Sequence, residues 1–165
     1  MKNLFNFLIY LIIPLISFTG NKNIKLESDN LLGHLYIPKI SVSNDLYKYG
    51  NDINNVDINV YVATLYDFNK LDGSLILASH SGNYSFCFFD NLYKLSNGDE
   101  IIIENSNNIY LYVVDDMFEI DKTGKFKYND KDKYIYLVTC VKNTHKKQLI
   151  VGGFLKKIIK KSTLL

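Results

Sequence analysis

"KYIYLVTCVKNTHKKQLIVGGFL", residues 133–155, is the stretch on which the reading of this chain turns. Two runs, "KYIYLVTC" (133–140) and "QLIVGGFL" (148–155), are rich in Ile, Val, Leu and Tyr, and the connection between them is mostly polar. Such side chains suit a pleated, half-buried surface, so both runs read as strands lying side by side. Cys140 closes the first strand and Lys147 stands at the entry to the second. A cysteine there has two readings. It is a small buried side chain ending a strand, since cysteine is among the most buried residue types. Or it is a nucleophile, provided the chain also supplies an imidazole and a group to hold negative charge.

Upstream, short apolar runs alternate with clusters of Asn, Asp, Gly and Lys, the pattern of an all-β barrel or sandwich. "GHLYIP" (33–38) is the first strand, ended by Pro38; weaker ones fall near Asp45–Tyr49 and Asn59–Val62. "GSLILASH" (73–80) reads as a buried strand finishing on Ser79 and His80. In "SFCFFDNLYKL" (85–95), Phe86, Phe89 and Tyr93 recur at helical spacing, which predicts one short helix. "EIIIE" (100–104) and "IYLYVVDDMFEI" (109–120) form a hairpin across "NSNN". The expectation is an all-β sandwich or barrel of about eight strands with one or two short helices.

Length and charge narrow the function. At 165 residues the chain fits one domain with a real core. A net charge of +2, with lysines scattered among acids, gives no electrostatic footprint for nucleic acid. All 19 basic residues are lysine, and with abundant Asn and Ile this points to an AT-rich coding bias. Cys87 and Cys140 have no metal-ligand spacing, and no cofactor motif is present. "MKNLFNFLIYLIIPLISFTGNK" carries Lys2 and then an apolar stretch from Leu4 to Phe18, the length of a secretory segment, with no A-x-A-like cleavage site behind it. The chain therefore divides into a signal anchor or signal peptide (1–20), a linker (21–31), a barrel domain (32–155) and a basic tail (156–165).

Three groups sit at predicted strand ends: His80, Cys140 and Lys147. One thiol, one imidazole and one cation would satisfy the needs of a cysteine nucleophile, although His34 and His145 are also available. Their order makes the pattern specific. "GHLYIPKISVSNDLYKYG" (33–50), "ILASHSGNYSFCFFDNLYKLSNGDEIII" (76–103) and "YLVTCVKNTHKKQLIV" (136–151) resemble, in sequence order, three signature regions of the sortases. In that family the first is a "G-x-L-x-I-P-K-I" opening strand. The second carries a catalytic His, usually in "A-G-H", and the third is "L-x-T-C" with an arginine several residues later. The resemblance runs from about Leu32 to Leu155.

It implies a membrane-anchored cysteine transpeptidase on an eight-stranded β-barrel, of a compact subclass because no long helical insert separates residues 120 and 133. Such enzymes cleave an LPXTG-like C-terminal sorting signal of surface proteins after its threonine. They pass the acyl group to an amine of a cell-wall precursor or a pilin, on the outer face of the plasma membrane. Carried over, Cys140 is the nucleophile and His80 the acid and base.

This chain departs from the pattern twice. Ser79 replaces the glycine before the histidine. The arginine is missing, and its position falls on Lys147, or on Gln148 if the alignment shifts by one. Lysine keeps the charge but lacks arginine's fixed fork of donors. Hence a second reading, a weak or inactive sortase-fold surface binding module, and a third, a hydrolytic thiol protease. Cys87 reads as packing, His34 as a surface residue, His145 as a solvated loop residue. Asp115, Asp116 and Glu119 read as solvated acids, with no metal site.

Overall fold

The computed structural model describes residues 30–83, 85–123, 128–144 and 146–161. The expected N-terminal segment (1–20), nearly all of the linker and His145 lie outside these. Among the described residues no helix is long and apolar enough to cross a membrane.

Eight strands form one sheet: β1 (Leu31–Ile37), β2 (Val42–Tyr47), β3 (Tyr61–Val62), β4 (Ser74–Ala78), β5 (Glu100–Glu104), β6 (Asn108–Asp121), β7 (Tyr134–Cys140) and β8 (Lys147–Lys160). Their order is β2-β1-β5-β6-β8-β7-β4-β3. The two end strands approach each other, with Asn44 on β2 bonded to Asn59 just before β3, so the sheet is a nearly closed barrel. The all-β, eight-stranded expectation holds.

The β5–β6 hairpin turns where the sequence placed it, on Asn105. Its side-chain oxygen accepts the N–H groups of Asn107 and Asn108, at 3.0 and 2.9 Å, in place of a backbone ladder. Residues 85–95, by contrast, are a series of turns with a single 3-10 turn, Leu92–Lys94, and not a longer helix. Neighbouring residues take the donors that a helical ladder would use. Phe88 N–H bonds the Ser79 hydroxyl at 3.2 Å and Phe89 N–H bonds the His80 carbonyl at 3.3 Å. Phe89 and Leu92 are still buried, three residues apart, while Phe86 and Tyr93 are exposed. β8 also continues past the predicted end at Leu155. Past a bulge at Lys156, residues 157–160 stay paired along β6, closing with Asn108 opposite Lys160.

β7 is buried on both faces, which explains its unbroken apolar run. Ile135 and Leu137 join the main core inside the barrel, with Leu75 and Leu77 of β4 and Leu149 and Val151 of β8. Tyr134, Tyr136 and Val138 point the other way, into a second cluster with Ile76 and Ile150, flanked by Ala78, Phe118 and Ile120. The β6–β7 connection lies over this outer cluster: the Tyr136 hydroxyl donates to the Asn129 carbonyl at 2.9 Å, and the Tyr128 ring meets Tyr136 edge-on. Gly152 is required on β8 because a Cβ there would stand 2.5 Å from the Tyr134 oxygen. That hydroxyl donates to Asp115 at 2.5 Å. Burial first, and then the Asp115 carboxylate, hold the Tyr134 phenol well above its ordinary range.

The single parallel pair in the sheet is β4 with β7, in register from Ser74 opposite Tyr134 to Ala78 opposite Val138. Parallel strands finish at the same edge. Both chains therefore leave the barrel together, one on His80 and the other on Cys140.

Candidate active site

Past Ala78 and Val138 the two strands stay tied. Ser79 N–H donates to the Val138 carbonyl at 3.2 Å, the Thr139 hydroxyl to the Ser79 carbonyl at 2.8 Å, and the Ser81 hydroxyl to the Cys140 carbonyl at 2.6 Å. The parallel register therefore extends two residues, to His80 beside Cys140. Since side chains alternate, His80 and Cys140 follow Ala78 and Val138 onto the outer face. Ser79 has a negative φ, so a serine stands here without the strain that a glycine-only position would impose.

The neighbouring strands complete a row. Gln148 on β8 lies directly across from Cys140, and Ile120 on β6 directly across from Gln148. Cross-strand partners share a face. The outer face thus carries, in order, Ile120, Gln148, Cys140 and His80. Lys147 is one residue out of step. It pairs with Asp121, and its ammonium sits on Glu119 at 3.3 Å. In this arrangement the period-2 alternation of β8 turns Lys147 to the face opposite Gln148.

The cation at the sulfur is a different one. Lys122, just past the end of β6, brings Nζ to 3.4 Å from Cys140 Sγ. The His80 ring bonds through Nε2 to Asp57 Oδ1 at 3.0 Å, an exposed pair with 44% and 76% of the side chains accessible. Among the described residues no hydrogen bond joins that ring to the sulfur. Asp57 comes from the β2–β3 connection and is placed to orient the imidazole. Cys87 and Cys140 are both free thiols; Cys87 is buried. His34 lies on the surface between Asp45 and Ser43, at 2.8 Å from each.

Two connections frame the cysteine. Lys142 reaches Asp90 at 2.8 Å, and Asp90 also accepts the Gly82 N–H at 2.8 Å. Burial opposes the charged form of Asp90, but the Lys142 and Gly82 hydrogen bonds outweigh it and hold the carboxyl below its usual value. Cys140 lies on the wall of two cavities. One, of about 370 Å³, is lined by Phe89, Tyr93, Met117, Glu119 and Leu149 among others. The other, of about 310 Å³, lies between Gly82–Asn83 and Lys142–Thr144. A larger cavity of about 780 Å³, lined by His34, Phe68, Glu104 and Lys161, includes none of the residues of the row.

A family model described as the sortase domain matches residues 35–155. The chain belongs to the sortase family. It is 27% identical over 134 residues to Sortase A of Bacillus anthracis, covering 79% of this chain and 62% of that protein. It is 28% identical over 133 residues to Sortase A of Listeria monocytogenes, covering 79% of this chain and 59% of that protein. The chain thus spans about three fifths of the length of these curated relatives. The crystal structure of Listeria monocytogenes sortase A superposes with a TM-score of 0.68 at 25% identity, over 82% of this chain and 93% of that one.

Asp57 and Lys122 are the residues touching His80 and Cys140 that the sequence did not announce. Asp57 sits in "NDINNVDIN", one carboxylate in a polar loop without periodicity. Lys122 had a partial signal, since it follows Ile120 by two and so shares its face. Which strand that face adjoins depends on the β6–β8 register, and a single sequence does not carry it.

Proposed function

We propose that this chain is a cysteine transpeptidase acting on LPXTG-like sorting signals, with Cys140 as nucleophile and His80 as acid and base. The observation that supports it is the parallel β4–β7 register, which runs His80 and Cys140 off the same edge on the same face. The Cys140 thiolate would attack the threonine carbonyl carbon of the signal. As the C–N bond breaks, imidazolium at His80 gives its proton to the leaving amine, and a thioester remains on Sγ. An acceptor amine, of a cell-wall precursor or a pilin, would then attack that thioester. His80 takes its proton, and the sulfur departs as thiolate. Asp57 positions the ring through Nε2.

The family's arginine position divides between groups here. Lys147, the reading from spacing, would have to leave Glu119 to serve the acyl oxygen. What supports Gln148 is its place directly across from Cys140, from which its amide N–H can donate to that oxygen. Donors fixed beside a developing oxyanion are worth about 10²–10³ in rate, so this assignment matters to the activity. The site would work on the outer face of the plasma membrane, tethered by the N-terminal segment, with surface proteins as partners.

The test is to incubate the protein with an LPXTG-type peptide and hydroxylamine. The expected result is a mass adduct on Cys140 that hydroxylamine releases as the peptide hydroxamate. The absence of arginine motivates a second reading, a weak or inactive surface binding module. Peptide binding without any adduct would favour that reading over the enzyme. Protease shaving of intact cells tests the location, and an undegraded domain would count against an outer-face site.

A further inference from the structure

We propose that Lys122 is the catalytic cation of this site, stabilising negative charge on Cys140 Sγ, a role that its position on the β6–β7 connection does not advertise. The inference rests on the reading of Cys140 as the nucleophile. Three observations carry it. Lys122 Nζ is 3.4 Å from the sulfur, within reach of an N–H···S hydrogen bond. Its backbone is fixed, because the Lys122 N–H donates to the Lys146 carbonyl at 2.7 Å and so extends the β6–β8 ladder one step beyond Asp121 opposite Lys147. And its parity is right: counting by twos from Phe118 and Ile120 of the outer cluster puts Lys122 on the face that holds Gln148, Cys140 and His80.

Two other cations near the cysteine are occupied. Lys142 is on Asp90 and Lys147 on Glu119, whereas among the described residues no carboxylate pairs with Lys122. Asp121, its neighbour in sequence, is one residue out of step and so belongs to the other face. An ammonium has no fixed fork, but a thiolate needs none. A point charge on a flexible stem suits a single sulfur better than a planar bidentate acceptor. During acylation the same ammonium, 3.4 Å from the sulfur, would be available to the carbonyl oxygen that becomes negative. A sortase-family chain without arginine would thus obtain its positive charge from the end of β6 instead of the start of β8.

The decisive experiment compares alkylation of Cys140 by anionic iodoacetate and by neutral iodoacetamide, with the adduct located by peptide mass. In each reaction the thiolate sulfur forms a bond to the CH₂ carbon and iodide leaves. A cation at the sulfur favours the anionic reagent. Lys122→Gln should therefore lower the iodoacetate-to-iodoacetamide rate ratio about three- to ten-fold, while Lys122→Arg keeps it near wild type. Lys147→Gln should leave the ratio unchanged. Lys122 is exposed and its ladder bond uses the backbone, so these variants retain the fold. With a sorting peptide, Lys122→Gln should lower the acylation rate by about 10–10² and Lys122→Arg should restore most of it.

An unchanged ratio in Lys122→Gln overturns the proposal, as does a fall produced by Lys147→Gln instead. A fall in activity that Lys122→Arg does not rescue, with the ratio intact, makes Lys122 structural only. The parent reading fails separately. If wild type forms no thioester with sorting peptides yet the ratio falls in Lys122→Gln, the charge partnership stands and the transpeptidase assignment does not.

Discussion

The two faces of the sheet at the end of β6, β8, β7 and β4 differ by a single residue of register and do different work. The outer face carries Ile120, Gln148, Cys140 and His80 in a row, with Lys122 reaching back to the sulfur. The inner face carries Glu119, Lys147 and Leu149 at the mouth of the barrel, where lysine and glutamate neutralise one another beside the core. Lys147 is closer to Cys140 along the chain than Lys122 is. Strand parity nonetheless gives the sulfur to Lys122, because a step of one residue along a strand exchanges the faces.

The largest effects should fall on the outer row. Cys140→Ala should abolish thioester formation, a loss of at least about 10³-fold, since no other group in the row forms a thioester. His80→Ala should cost about 10²–10⁴ in kcat/KM, the range for losing a general acid and base. Both are read from single-turnover acylation of a sorting peptide. On the inner face, Lys147→Ala should change the rate by less than about three-fold, because it breaks only an exposed ion pair. The comparison of faces collapses if Lys147→Ala is as damaging as His80→Ala, and Lys147 then recovers the arginine's role. Gln148→Ala sharpens the same contrast: it should fall between the two, about ten- to a hundred-fold slow, as one lost oxyanion donor.

A second pair of substitutions compares the faces by stability instead of rate. Leu137 is fully buried in the inner core, and Val138 is nearly so in the outer cluster. Leu137→Ala should destabilise the barrel by about 2–5 kcal/mol, transfer and cavity terms together. Val138→Ala should cost about 1–2 kcal/mol, since it removes fewer methyl groups from a smaller cluster. Urea denaturation at constant m-value measures both. Equal losses would mean that the outer cluster is as much a core as the inner one, and that the sheet has no working face.

The eight strands were legible because β-rich runs and polar clusters alternate plainly. The placement of His80 and Cys140 at one edge of the sheet was legible in part because each ends a run. The 85–95 helix misled because its apolar spacing fits a helix while Ser79 and His80 bind its backbone donors. That competition is invisible without the third dimension. Lys147, with Gln148 one residue on, was read from alignment with the family's last strand and from spacing to Cys140, neither of which carries the face a side chain takes. Asp57 lies in a loop whose path only the closed barrel defines. What escaped the sequence was in each case a contact between segments far apart, whereas what it revealed was local periodicity and order.

The smallest effect should come from the clamp that frames the cysteine, and it should depend on pH. Asp90 joins the connection after β4 to the one after β7, through Lys142 and the Gly82 N–H. Its burial raises the carboxyl and the two hydrogen bonds lower it, with the lowering dominant. A carboxyl held below its unfolded value of about 3.8 adds stability above that value, and the contribution disappears as pH falls through the lower, folded value. Lys142 behaves oppositely. The Asp90 bond raises its ammonium above 10.5, so its contribution is complete below that value and is lost as pH climbs through the raised one. The pair therefore supports the fold between about pH 4 and pH 10. Asp90→Asn keeps an oxygen for Gly82 but loses the charge. Its melting temperature should lie slightly below wild type at pH 7, by less than in either core substitution. The gap should narrow as pH falls through that lower, folded value, where wild-type Asp90 becomes neutral as well. A gap that persisted undiminished once the wild-type carboxyl had been titrated would show that shape, and not charge, holds the two connections around Cys140, and the clamp would then be as indifferent to pH as the barrel beneath it.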